Sequence, residues 1–280
     1  MNSRRNFLKT SGAFAIGSVL LPGIAEAAKR NAAKDVGVQL YSVRKEMLED
    51  NIGTLKKLAA LGYKEIESAG SDKGNYYGLQ PAEIKNICKN LGMNLRSGHV
   101  HFDDKWQQTI DDAAEAGQEY VIVSSMPSNG QTIDNYKKVA DAFNKAGEAA
   151  KKSNLNFGYH NHNFEFEKEN GKVLYDVLVE NTNKEYVNLE MDLGWVIVTG
   201  NNPLDYFEKY PGRFPLWHLK DMNMQEKHST EFGKGGLDIK KMLSASKKAG
   251  MKYFFVEQEE YTNTPFESLA YNYNYLKKLK

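Results

Sequence analysis

The chain is 280 residues long, enough for one large domain with a sizeable core, and its 41% hydrophobic and 26% charged residues are ordinary for a globular protein. A formal net charge of +1 provides no global field to draw in nucleic acid or an anionic membrane surface. The single cysteine, Cys88, excludes an intrachain disulfide, so the fold does not depend on an oxidising compartment.

Residues 1–27 read as an export signal rather than as fold. Ser3-Arg4-Arg5-Asn6-Phe7-Leu8-Lys9 carries the twin-arginine pattern, an apolar run follows over 13–21, and Ala25-Glu26-Ala27 forms a small-x-small cleavage site. The apolar run is too short to cross a membrane as a helix. The mature chain is expected to begin near Ala28, to form a single domain over 28–280 and to work in the periplasm.

From Val36 onward, short β-rich runs alternate with longer stretches of helical spacing. The expected strands are VGVQLY (36–41), YKEIES (63–68), LRSGHVHF (95–102), YVIVSS (120–125), LNFGYHN (155–161), VNLEMD (187–192), PLWHLKD (215–221) and YFFVEQ (253–258). Between them, IGTLKKLAALG places Ile52, Leu55, Leu58, Ala59 and Leu61 on one helical face and stops at a glycine. PAEIKNICKNLG opens on Pro81 and ends at Gly92. YKKVADAFNKAGEAAKKSN and DIKKMLSASKKAG read likewise, and the tail YNYNYLKKLK supplies the last helix. Eight strands alternating with helices over about 250 residues is the arithmetic of an α/β fold, the (β/α)8 TIM barrel. A doubly wound sheet competes, but the GxGxxG fingerprint after the first strand is absent.

Such barrels carry their chemistry at the C-terminal ends of the strands. His99 and His101 end the third strand, His160 and His162 the fifth, Glu190 and Asp192 the sixth, His218, Lys220 and Asp221 the seventh, and Glu257 and Glu259 the eighth. Only His228 of the six histidines falls elsewhere. A lone strand-end histidine is more often hydrogen-bonded packing than a ligand, and a lone carboxylate is often a helix cap. The joint pattern outweighs both readings, because Asp192, His218 and Glu257 come from three adjacent strands and converge. Two carboxylates and an imidazole suit Mn²⁺, Co²⁺, Zn²⁺ or Fe²⁺ better than Ca²⁺.

EMDLGWVIVTGNNP, WHLKD, GKGGLDIKKML and FFVEQEE resemble the sugar phosphate isomerase/epimerase group of the xylose isomerase-like TIM barrels, and VQLYSVR and YHNHNFEF fit the same group. The resemblance runs from about Val36 to the end of the chain. It implies one divalent metal ion, Mn²⁺, Zn²⁺ or Co²⁺ first, held by Glu, Asp, His and Glu from the fifth to eighth strands. The last three fall on Asp192, His218 and Glu257. The first position holds His160, with Glu165 as the alternative ligand. That departure removes the symmetric pair of glutamate bases on which the group's epimerases rely.

The resemblance implies an isomerase or epimerase of a keto-sugar, working by proton abstraction beside the carbonyl through a metal-stabilised enediolate. A lyase or hydratase on keto-sugars or keto-glycosides is the runner-up, and a non-catalytic sugar-binding protein is the reading from another class. Glu257 or a strand-five histidine is the expected base, His162 the partner acid, and Lys220 the charge near the developing oxyanion. Glu67 and His101 are expected to bind sugar hydroxyls. Tyr41 and Trp195 are expected to face the ring, core packing being the equal alternative for Trp195. Apurinic endonucleases share this superfamily but need more ligands and a basic groove. No glycine-rich phosphate cradle is evident, GKGG (233–236) being too weak, so the expected partner is a small neutral carbohydrate. Neither nucleic acid nor stable membrane insertion is expected, and a homo-oligomer is left open.

Overall fold

The computed structural model describes residues 35–128 and 130–279; the export-signal reading falls outside them. Eight parallel strands close into a barrel: β1 (Gly37–Gln39), β2 (Glu65–Ser68), β3 (Asn94–Val100), β4 (Tyr120–Val123), β5 (Asn156–His160), β6 (Val187–Asp192), β7 (Leu216–Leu219) and β8 (Tyr253–Val256). β1 pairs with both β2 and β8, which excludes the open doubly wound sheet. All eight expected strands are present, most of them shorter at one or both ends. The first stops at Gln39, whose side chain accepts the Tyr41 N–H and caps the 3-10 turn Leu40–Val43. The seventh stops at Leu219, and Asp221–Asn223 instead pairs antiparallel with His228–Thr230 in a two-stranded ribbon.

The flanking helices follow their sequence signals. Asn51–Leu61 is capped by Asp50, which accepts the Gly53 N–H at 2.8 Å, and ends at Gly62 in the left-handed region (φ +108°). Ile133–Lys152 turns Tyr136, Val139, Ala140, Phe143, Ala146 and Ala150 into the core. The aromatic tail is indeed the last helix, Pro265–Lys278, opened by a Thr264–Glu267 capping box. Outward strand residues bury against these helices; Trp217 of β7, for example, stacks on Phe207 at 4.8 Å.

Inside the barrel, period-two alternation stacks the inward residues in layers. Near the N-terminal ends, Arg96 pairs with Glu65 at 2.6 Å and also with Glu119. Above lies a small apolar cluster of Tyr120, Ile122, Leu216 and Phe255. Two glycines make room for it. A Cβ on Gly37 would lie 2.4 Å from the Phe254 carbonyl oxygen and 2.7 Å from the Phe255 ring, and one on Gly158 would lie 2.6 Å from Ile122. The next layer up is polar, and it is the site. No helix among the described residues is long and apolar enough to cross a membrane.

Candidate metal centre and active site

The polar layer is built from inward positions at the C-terminal ends of the strands: Glu67 of β2, His99 of β3, His160 of β5, Glu190 and Asp192 of β6, and His218 of β7, with Glu257 just past β8. Glu67, Glu190, Asp192 and His218 are entirely buried, and His160, Glu257 and Lys220 nearly so. The donors fall into two sets that share His218. Ligand atoms of Asp192, His218 and Glu257 lie within 4.8 Å of one another, as do those of His99, His160, Glu190 and His218.

The histidines connect the two sets. His218 turns Nδ1 toward Glu257 Oε2 at 2.8 Å and Asp192 Oδ2 at 3.9 Å, while its Nε2 meets Glu67 Oε1 at 2.6 Å. His160 turns Nε2 toward the same Asp192 oxygen at 3.9 Å and Nδ1 toward Glu190 Oε2 at 3.3 Å. His218 thus offers one nitrogen to the donors and has the other hydrogen-bonded to a buried carboxylate, which is how metal-bound histidines are held in one tautomer, whereas His160 Nδ1 is buried without a well-aimed hydrogen bond. Asp192 Oδ2, at that point, is buried and makes no well-aimed hydrogen bond, although Lys220 Nζ lies 2.9 Å away. Asp192, His218 and Glu257 therefore fit a divalent cation, and His160 Nε2, 3.9 Å from Asp192 Oδ2, approaches them as a fourth donor.

The charges agree with this. Four buried carboxylates, Glu67, Glu190, Asp192 and Glu257, face one buried lysine, Lys220, and the buried imidazoles of His99 and His218. Burial raises the Asp192 pKa, and burial with the neighbouring Glu67 pushes Glu190 up to about 7. Burial alone would lower His218 and Lys220, but the surrounding carboxylates hold both well above their usual values. A divalent cation at these donors would take the place of the proton that the carboxylates hold on His218.

Over the donors lies a cavity of about 240 Å³, lined by Tyr41, His99, Ser124, His160, His162, Trp195, Lys220, Glu257 and Glu259. Tyr41 and Trp195 are thus walls, as expected. Lys220 reaches Asp192, Glu257 and Glu259 at 2.9, 2.7 and 2.6 Å and sits 4.9 Å from the centre of the Trp195 ring. His162 stacks on Phe164, and its buried Nδ1 has no hydrogen-bond partner. Burial, with Lys220 adding to it, lowers its pKa to about 4. The neutral ring is the form that accepts a proton.

Three expected residues are placed elsewhere. His101 is exposed, because β3 ends at Val100, and it does not line the cavity; His99, two residues earlier on the same face, does. Glu67 lies one layer too deep to meet a substrate and is held by His218 and by Gln39 Nε2 at 2.9 Å. Glu165, the alternative fourth ligand, has both oxygens engaged, by the Tyr159 hydroxyl at 2.6 Å and the His162 N–H at 2.9 Å. It belongs to neither donor set. Glu190 and His99, strand-end residues given no role from the sequence, join the site, where His99 Nε2 meets Glu190 Oε2 at 2.6 Å.

Asp221 is structural. Its carboxylate accepts four backbone N–H groups, from Met222 and Leu237 at 2.9 Å, Gly233 at 2.8 Å and Gly235 at 3.1 Å. The GKGG amides are thereby occupied from within, and that loop offers no phosphate cradle. Ser229 Oγ, on the ribbon, accepts the Glu259 N–H at 2.7 Å and so fastens the segment that carries Glu257 and Glu259.

A closed parallel barrel with a carboxylate–imidazole centre at its C-terminal mouth defines a TIM-barrel protein able to hold a divalent metal. The family model of the xylose isomerase-like TIM barrels matches residues 55–279, and the chain belongs to that family. It is 26% identical over 271 residues to an inosose dehydratase of Clostridium beijerinckii, covering 80% of this chain and 88% of that one. Two crystal structures, each named as a sugar phosphate isomerase/epimerase from Parabacteroides distasonis, superimpose with TM-scores of 0.77 and 0.78 at 26% and 28% identity. They cover 91% and 87% of this chain and 97% and 98% of theirs. These relatives are enzymes, and this chain is an enzyme as well.

Proposed function

We propose that the protein is a divalent-metal-dependent lyase that removes a proton beside the ketone of a sugar-like substrate and expels the substituent on the next carbon. The observation that carries this is geometric. Asp192, His218 and Glu257, with His160 facing Asp192, converge beneath a cavity whose walls hold a cationic donor, Lys220, and an imidazole with an unpartnered nitrogen, His162. A Mn²⁺, Zn²⁺ or Co²⁺ ion on the four donors supplies Lewis acidity, lowering the pKa of the C–H beside the ketone and stabilising the charge that develops on oxygen.

The chain's own residues do the rest. His162 Nδ1 takes the proton from the α-carbon. The C–O bond at the β-carbon breaks with its electron pair leaving on oxygen, and Lys220 delivers a proton to that oxygen. The products are an α,β-unsaturated ketone and water or an alcohol. Glu259, half-buried and 2.6 Å from Lys220, connects the ammonium to solvent for reprotonation. Tyr41 and Trp195 offer flat faces to the ring. The occupied GKGG loop supports a substrate without phosphate, and the likeness to a protein named inosose dehydratase supports loss of water.

Isomerisation or epimerisation is the second reading, favoured by the likeness to the two proteins named isomerase/epimerase. It shares the first proton transfer and returns the proton to carbon. The twin-arginine pattern makes export to the periplasm part of the proposal, which cell fractionation of the full chain tests. For the reaction, the metal-loaded protein is incubated with keto-sugars in D₂O and followed by NMR. Enone signals establish the lyase, an epimer or isomer deuterated at the α-carbon establishes the second reading, and a substrate that shows neither enone nor deuterium at the α-carbon overturns both. About one divalent ion per chain should co-purify, and Asp192→Ala and His218→Ala should each abolish it.

A further inference from the structure

A second cavity, of about 340 Å³, lies between the segments that follow β1 and β8, and of its walls only Glu259 enters the reaction proposed above. Arg44, Glu46, Tyr261, Asn263 and Pro265 are among its walls. It is continuous in its lining with the cavity over the metal donors. Glu259 lines both. Tyr41, a wall of the inner cavity, is covered at 4.4 Å by the guanidinium of Arg44, a wall of the outer one. The walls of the outer cavity are also tied to each other. The Gln258 N–H donates to Ser42 Oγ at 3.1 Å, and the Tyr261 hydroxyl joins the carbonyl oxygens of Ser42 and Gln258.

Size and chemistry point to one kind of occupant. The inner cavity, about 240 Å³, is below the roughly 300–1,000 Å³ of ordinary ligand sites, whereas inner and outer together fall within it. The outer walls mix two cations, Arg44 and Lys45, two carboxylates, Glu46 and Glu259, and the Asn263 amide with the apolar faces of a tyrosine and a proline. That mixture suits a ring bearing several hydroxyls, which both donate and accept and which has an apolar C–H face. Arg44 and Lys45 balance Glu46 and Glu259, so the lining carries no net positive charge to favour a phosphate or carboxylate over a neutral polyol.

We infer that the substrate has two parts: a ketone-bearing ring over the metal donors and a second sugar unit in the outer cavity, so that its class is a keto-disaccharide. This rests on the function proposed above and specifies its substrate.

The test uses the metal-loaded full chain and a matched pair of ketones, a keto-disaccharide and the same keto-ring as its methyl glycoside. The disaccharide should show a KM about tenfold lower, the effect of roughly one or two good polar contacts. Asn263→Trp, an exposed position at the outer cavity, and Arg44→Ala should each collapse that tenfold difference to near onefold. A second measurement needs no turnover: saturation-transfer NMR with the parent disaccharide lacking the ketone should show both rings in contact with the protein, and the second ring should lose contact in Asn263→Trp. Equal KM values for the two ketones in the wild type, a discrimination that survives both variants, or a second ring that receives no saturation would overturn the inference. Saturation of both rings without turnover of any ketone would uphold the subsite and sink the reaction.

Discussion

Glu67 and Glu165 are both buried glutamates beside site histidines, and their surroundings give them different work. Glu67 holds His218 Nε2 at 2.6 Å and so aims Nδ1 at the metal seat. Replacing the carboxylate by a neutral amide weakens that hold, and Glu67→Gln should lower metal affinity by about 10–100-fold, read by competition against a chromophoric chelator. Unchanged affinity would show that His218 is oriented by something else. Burial pushes Glu165 up to about 7 from its ordinary 4.5, so its folded pKa is raised. The stability it contributes is full below about pH 4.5 and is lost as pH rises through 7. Glutamine cannot ionise, and the Tyr159 hydroxyl can donate to or accept from it. Glu165→Gln should therefore match the wild type near pH 4.5 and exceed it at pH 8 by up to about 3 kcal/mol in urea unfolding. A difference that does not change with pH would show that Glu165 is ionised throughout. At this scale the sequence was a fair guide to residue type and a poor one to depth. Glu67 and His101 were both sensible strand-end choices, but one lies a layer below the substrate cavity and the other beyond the end of β3.

The strand–loop junctions carry more information than the strands do. Asp221 closes the loop from β7 to the next helix by accepting four amides, which no other group replaces once it is gone. Asp221→Ala should cost about 3 kcal/mol, since several donors lose a charged acceptor, although water recovers part of the loss. For a barrel of this size that lowers Tm by roughly 6–12 °C, measurable by calorimetry. A smaller change would mean the loop holds without its clamp. WHLKD and GKGGLDIKKML were legible as motifs, but their joint role was not. It depends on Asp221 and Gly233–Gly235 meeting in space across a ribbon whose antiparallel pairing leaves little pattern in three-residue strands. Strand ends were misjudged for a related reason: β-rich residues such as Tyr41, His101 and Asp221 continue past the point where a neighbouring strand stops offering hydrogen bonds.

Across the whole molecule, an apolar cluster separates an ion-paired layer near the N-terminal ends of the strands from a polar layer of carboxylates, imidazoles and Lys220 near their C-terminal ends, whose metal donors meet only in the folded barrel. Metal binding should therefore stabilise the fold. At about 100 times its Kd, a bound ion adds about 2.7 kcal/mol by mass action and raises Tm by roughly 5–10 °C. Asp192→Ala should abolish the shift, and an equal shift in that variant would place the ion elsewhere. The amino-acid sequence by itself determined the eight alternating strands, the barrel they make and the strands that bring Asp192, His218 and Glu257 together, because periodicity and strand order are local properties of the chain. Only the tertiary structure decided that His160 rather than Glu165 faces Asp192, that Glu190 and Glu67 support the histidines from below, and that the glycine loop is filled by Asp221. These depend on register, on side-chain direction and on which donor reaches a buried oxygen first, and they exist only once the barrel has closed.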